Sequence, residues 1–259
     1  MGNAYDRIGK SYDISRKADP EIVHRLIQHL QIRSEDKLLD VACGTGNYAV
    51  ALFQWGLSMA GVDISDEMLA QARGKSGDIE WTKVDAGYLP YDDSSYQGAM
   101  CVLAIHHFRD LLAPFKEVYR VLDRGRFVIF TASPEQMQNY WLNAYFPRAM
   151  EVSINQMPSI AKVIQNLRQA GFSIVGTESF LVEPDLQDLF LYSGKFDPHV
   201  YLNSTVRSGI STFASLATPE EIETGCRQLR HDIENGKIHD VIQEYTSTLG
   251  DYIFVVAQK

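Results

Sequence analysis

The sequence predicts an α/β protein built on a doubly wound sheet, mostly parallel, with helical insertions. Three observations predict it. Short apolar runs alternate with helical text between residues 37 and 131, the order that sets parallel strands between helices. The run Lys37-Leu-Leu-Asp-Val-Ala42 is stopped by Gly44-Thr45-Gly46 and followed by a helical pattern from Asn47 to Gln54. A strand, a glycine turn and a helix start are the parts of a nucleotide-binding βα unit. The chain then closes with one more helix and two more strand patterns. Its 259 residues, 45% hydrophobic and 22% charged, supply one core, so residues 1–259 read as a single domain.

Taken in order, residues 3–20 are polar and carry two Tyr-Asp pairs. Tyr5 and Tyr12 are seven apart and share a face if the segment is helical. Asp19 caps a helix with Pro20 in its first turn, and Ile22, Val23, Leu26, Ile27 and Leu30 form its core face. Residues 1–36 are expected to be helices, opened by a segment that is either a packing face or a lid, and residues 37–133 the ligand-binding core. The first strand is apolar on both faces, as in a parallel sheet. The second, Ser58–Ser65, ends in Asp63, and Ser65 caps the next helix. The third, Ile79–Val84, leads into Asp85-Ala86. The fourth, Gly98–Ile105, ends in His106-His107. A helix from Asp110 to Leu122 and a turn at Gly125 precede the fifth, Phe127–Thr131.

Residues 134–158 form the first insertion and hold the densest aromatic patch, Tyr140, Trp141, Tyr145 and Phe146. A helix from Ser159 to Ala170 stops at Gly171. Strand patterns follow at Phe172–Phe180 and Asp251–Ala257. Residues 183–250 lie between those two strands, too many for a structureless loop in a compact domain. Thr218-Pro219 opens a capped helix through His231, and a further helix begins near Asp240. Both insertions are expected to form a substrate cap or a homodimer contact.

Composition excludes several classes. The net charge is −9 and no Lys/Arg run stands out, so no nucleic-acid partner is expected. The three cysteines, Cys43, Cys101 and Cys226, are scattered, with no C-x-x-C and no metal-ligand spacing, so no metal is expected. No basic, apolar leader opens the chain, and no apolar run approaches the ~18 residues that cross a bilayer. A cytoplasmic protein with no membrane partner is the expectation.

Two ligand classes compete for the glycine turn. Gly44-Thr-Gly46-Asn-Tyr-Ala49 satisfies the dinucleotide fingerprint. Asp40, four residues before Gly44, argues against it, because an acid beside the turn repels a pyrophosphate and attracts a cation. The pattern Asp40-x-x-Cys-Gly44-x-Gly46 resembles the first motif of the class I S-adenosylmethionine-dependent methyltransferases. Gly61-Val-Asp-Ile-Ser-Asp-Glu-Met68 resembles their second motif. Asp85-Ala86 followed by Leu89-Pro90-Tyr91 resembles their third, with Tyr91 where phenylalanine is usual. A single Gly125 stands where Lys-Pro-Gly-Gly is common, and residues 183–250 replace a short turn.

The resemblance implies a Rossmann-like fold of seven strands, the last antiparallel, and S-adenosyl-L-methionine as cofactor. It implies a cofactor site of Tyr12, Arg16, Asp40, Gly44, Gly46, Asp63, Ile64, Met68, Asp85, Ala86, Leu103 and Ala104. Within it Asp63 would hold the ribose hydroxyls, Asp85 the adenine amino group and Arg16 the carboxylate. His106 and His107 are the candidate proton acceptors, and Tyr5, Tyr140, Trp141 and Tyr145 the candidate substrate wall. The implied reaction moves a methyl group in line to an O, N or C atom of a small-molecule acceptor. Arg207, Arg230, His231 and His239 are expected to be solvated unless that acceptor is an anion. A nonenzymatic protein binding the same cofactor is one alternative. An NAD-dependent oxidoreductase is another, and it leaves Asp40 and Asp85 without a task.

Overall fold

The computed structural model describes residues 13–259. Tyr5, Tyr12 and the part of the expected lid before residue 13 lie outside the described residues.

Seven strands form one sheet among the described residues, in the order β3-β2-β1-β4-β5-β7-β6. They are β1 (Lys37–Val41), β2 (Ser58–Asp63), β3 (Glu80–Lys83), β4 (Tyr96–Val102), β5 (Leu122–Thr131), β6 (Ser173–Phe180) and β7 (Tyr252–Gln258). Strands β1 to β5 pair in parallel, and β7 runs antiparallel between β5 and β6. The chain leaves β1 toward β2 on one side and β4 toward β5 on the other. That reversal opens a crevice at the carboxyl ends of β1 and β4, where open α/β sheets bind ligands.

Successive strand residues feed opposite cores. Leu38, Met100, Val128 and Phe130 pack on one face, and Leu39, Val41, Cys101, Phe127 and Ile129 on the other. Helices α1 (Pro20–Leu30), α2 (Asn47–Gln54) and α3 (Asp66–Lys75) cover the first face. Asp19 caps α1 by accepting from the amides of Glu21 and Ile22, as its Asp-Pro start requires. Helices α4 (Leu112–Val121) and α7 (Ile160–Ala170) cover the second. Between them in sequence lie α5 (Pro134–Gln138) and α6 (Pro147–Gln156) of the first insertion. The second insertion holds α8 (Ser204–Ser208), a π-helical turn at Thr212–Leu216, α9 (Pro219–Glu234) and α10 (Ile238–Glu244).

Two sequence expectations fail locally. Strand β4 stops at Val102 instead of Ile105, because Leu103 takes a left-handed backbone (φ 52°) and residues 105–107 coil into a 3-10 turn. Gly125 sits inside β5, not in a turn, where the register against β4 shifts between Tyr96 and Gly98. A Cβ on Gly125 would lie 1.7 Å from the Gln97 carbonyl oxygen, so glycine answers to a close approach there.

Candidate active site

The crevice holds a cavity of about 940 Å³. Its floor is the glycine turn and the ends of β1, β2 and β4. Left-handed backbone recurs at those ends, with Ala42 at φ 57°, Gly44 at 56°, Gly46 at 75° and Leu103 at 52°. Holding Ala42 and Leu103 there costs of order 1–3 kcal/mol each, and such outliers cluster at functional sites.

The two glycines do different work. A Cβ on Gly44 would meet nothing within 4 Å, so the backbone there opens onto free space. A Cβ on Gly46 would stand 2.4 Å from the Trp81 ring, so Gly46 serves packing and is not part of the cavity wall. Placing Gly46 against a ligand is corrected accordingly. The rest of the expected cofactor set within the described residues does line the cavity: Arg16, Asp40, Gly44, Asp63, Ile64, Met68, Asp85, Ala86, Leu103 and Ala104.

The electrostatics of this floor ask for a positive charge. Asp40 is buried at the end of β1, and burial pushes its carboxyl well up, with the Asp63 charge adding to the effect. Burial also pushes Asp63 up, against hydrogen bonds from the amides of Ser65 and Gly44, both 2.9 Å. Burial, then the two acids, push the Cys43 thiol well up, so it stays protonated. The acid pair therefore fits a cationic ligand and disfavours a pyrophosphate.

The roof comes from residues far away in sequence. Asp188 of the second insertion is buried and pairs with Arg16 through both carboxylate oxygens, at 2.5 and 3.2 Å. It also accepts from the Tyr48 hydroxyl on α2 at 3.0 Å. Gln156, Ser211, Ser215 and Leu216 complete that side. Three of these four, Ser211, Ser215 and Leu216, belong to the π-helical turn or precede it, a distortion frequent at functional sites. Sequence reasoning passed over Tyr48, Asp188 and the π-helical turn, because no local motif announces them.

His106 and His107 lie with ring centroids 3.8 Å apart in the turn after β4. His107 stands on the wall of the main cavity and of a smaller chamber of about 80 Å³, whereas His106 lines only the chamber. Surrounding protein lowers the His107 pKa to about 4. Burial, then His107 and Arg16, hold His106 well below the usual histidine range. Both are neutral near pH 7.

The aromatic wall expected at Tyr140, Trp141 and Tyr145 is a correction. All three are buried and none lines either cavity. Tyr140 stacks on Tyr192 at 3.7 Å and donates its hydroxyl to the Asp251 carbonyl. Trp141 packs edge-on against Tyr145 and Tyr201. Tyr145 donates to Asp232 at 3.0 Å. Their area is spent joining the two insertions. The first insertion reaches the cavities through Met137, Ser153, Gln156 and Met157 instead.

The chain is similar to several known methyltransferases. Residues 39–130 match the family model of a methyltransferase domain. Demethylmenaquinone methyltransferase of Staphylococcus aureus is 28% identical over 221 residues, 79% of this chain and 86% of that protein. The match to the Chlorobaculum tepidum protein of the same name is 38% identical over 99 residues, and it spans 41% of that protein. A solved structure from Anabaena variabilis, a candidate methyltransferase of an antibiotic biosynthesis pathway, superposes with a TM-score of 0.85. It is 32% identical and the match covers 95% of this chain and 99% of that one. With the fold, the glycine turn and the acids at the ends of β1 and β2 in common cause with these matches, the chain belongs to the class I S-adenosylmethionine-dependent methyltransferase superfamily.

Proposed function

We propose that this enzyme moves the methyl group of S-adenosylmethionine to a small-molecule acceptor held between the crevice and the two insertions. The observation that carries the reading is the cavity itself, with an acid-flanked, open glycine turn as floor and inserted segments as roof. Bound there, the cofactor would supply an electrophilic methyl carbon with a neutral thioether as its leaving group.

The protein's own residues do the rest. Asp40 and Asp63 attract the cationic ligand, and Gly44 admits it. Asp63 and Asp85 orient its polar groups, while Ile64, Met68, Leu103 and Ala104 hold its flat parts. Arg16, on the wall of the same cavity, is ion-paired to Asp188. The insertions exclude water and align the acceptor, which supplies most of the rate for a reagent already activated. His107, neutral at working pH, accepts a hydrogen bond from the acceptor. The relatives named for a quinone precursor and for an antibiotic pathway support a small-molecule acceptor.

Calorimetric titration tests the reading. S-adenosylmethionine and S-adenosylhomocysteine are expected to bind in the micromolar range. Asp63→Ala is expected to weaken both by about 10- to 100-fold, the worth of one or two charge-assisted hydrogen bonds. Binding of NAD alone would return the glycine turn to the dehydrogenases.

A further inference from the structure

The small chamber adjoins the main cavity and shares Arg16, Leu103, His107 and Ser211 with it. Its volume of about 80 Å³ has room for several water-sized atoms, the size of one ring or a short branched chain. The wall is mostly apolar, with Met137, Met157, Phe190 and Ile210 among its members. Among the described residues it includes no carboxylate.

Its one formal charge is already matched. Arg16 is held by Asp188, and the Asp188 side chain is 1% exposed. His106 is neutral, and Arg16 nearby helps to keep it so. The remaining polar side chains are the neutral His107 imidazole and the hydroxyls of Ser153, Ser211, Thr212 and Tyr252. Two of them, on Ser153 and Thr212, satisfy each other at 3.0 Å. Arg207 and Arg230, the insertion cations that an anionic acceptor would call for, line neither cavity. A charged group entering this chamber would be stripped of water and find no counter-charge, at a cost of several kcal/mol for an unpaired ion. An apolar group pays no such penalty and gains from leaving water.

We infer that the chamber is the acceptor subsite and that it takes an uncharged, apolar, ring-sized end of the acceptor, excluding carboxylates, phosphates and ammonium groups from that end. This inference rests on the methyltransferase reading, because the adjoining cavity must hold the methyl donor.

The test uses the whole chain saturated with S-adenosylhomocysteine, which separates the two readings. Ligand-observed NMR then compares three ring-sized probes of similar shape: p-cresol, benzoate and benzylammonium. p-Cresol is expected to bind at least about tenfold more tightly than either ion, a difference of about 1.4 kcal/mol. Filling the chamber should abolish p-cresol binding while S-adenosylhomocysteine still binds. Ala132→Phe does this from the end of β5, and Met157→Trp does it from a half-buried position that tolerates bulk if the first variant fails to fold. Benzoate or benzylammonium binding as tightly as p-cresol would overturn the inference. So would p-cresol binding that survives both substitutions, or the absence of binding by all three probes. Failure of the wild type to bind S-adenosylhomocysteine would overturn the methyltransferase reading first, and this one with it.

Discussion

At Asp188 three segments meet: Arg16 before α1, Tyr48 on the helix after the glycine turn, and the second insertion. Breaking a buried ion pair by removing one partner leaves the other charge uncompensated and costs about 3–5 kcal/mol. Asp188→Asn keeps the shape and removes the charge. It is expected to lower stability by a few kcal/mol and to raise the KM for S-adenosylmethionine more than it lowers kcat. Unchanged KM in a folded Asp188→Asn protein would reduce Asp188 to a structural tie. The histidine pair gives a second prediction at this scale. The folded His107 pKa, about 4, lies below the unfolded value near 6.5, so its stability contribution is complete above the unfolded value. That contribution is lost as pH falls from about 6.5 through about 4, and His106 acts in the same sense. Imidazoles this hard to protonate are poor proton sinks, so the kcat profile is expected to show no histidine inflection between pH 5 and 8. An inflection near 6.5 that vanishes in His107→Gln would refute this. Asp40, Asp63 and Asp85 were legible in the sequence because each lies at or just past the end of a strand, where position follows from topology. Asp188 was not, since only docking of the insertion brings it to Arg16.

The βα unit shows at the scale of an element how two identical letters answer to different forces. Gly44 and Gly46 look equivalent in the motif, and both have positive φ. Only Gly46 has a neighbour in the way, the Trp81 ring. Gly46→Ala combines left-handed strain with overpacking and is expected to cost about 2–4 kcal/mol. Gly44→Ala is expected to cost about 1–2 kcal/mol, from the backbone alone, yet to abolish cofactor binding because its Cβ enters the open floor. Chemical denaturation and S-adenosylhomocysteine titration of both variants measure the two losses separately, and the reverse pattern would sink the assignment. Element types along residues 20–131 were readable from period, caps and turns, with Asp19 and Ser65 capping as their sequence positions require. The exceptions have local causes. β5 absorbs Gly125 because a neighbouring carbonyl fills the side-chain space, which no sequence pattern reports. The aromatic patch at 140–146 lies near the site in sequence, but composition does not say which way a ring faces. Tyr140 and Trp141 turn inward because the second insertion offers Tyr192 and Tyr201 to pack against.

Across the whole molecule, residues 13–19 span from the glycine turn to the second insertion. Asp13 accepts from the Thr45 hydroxyl at 2.7 Å and from Lys75 at 2.7 Å, so one end is pinned to the cofactor floor. At the other end the Ser15 carbonyl accepts from the Leu189 amide at 3.0 Å, and Asp19 accepts from the Gln187 amide at 2.9 Å. Arg16 in the middle lines both cavities and holds Asp188. A ligand that touches the floor and Arg16 therefore stabilises contacts on a segment more than 130 residues away from the glycine turn. Apart from the buried Arg16–Asp188 pair, these ties are single hydrogen bonds, mostly partly buried and worth about 0.5–1.5 kcal/mol each, so the roof is expected to open locally while the sheet stays formed. Binding converts that opening into a cost and shifts the population toward the closed form. Hydrogen exchange is expected to show slower amide exchange at residues 13–19 and 186–190 together when S-adenosylhomocysteine binds, with β4 and β5 unchanged. Protection confined to residues 42–46, 63–68 and 85–86 would mean that the insertion is a fixed wall and that the N-terminal segment only packs against it. Coupled protection would make the insertion the part of the chain that lets the acceptor in and then shuts it away from water before the methyl group moves.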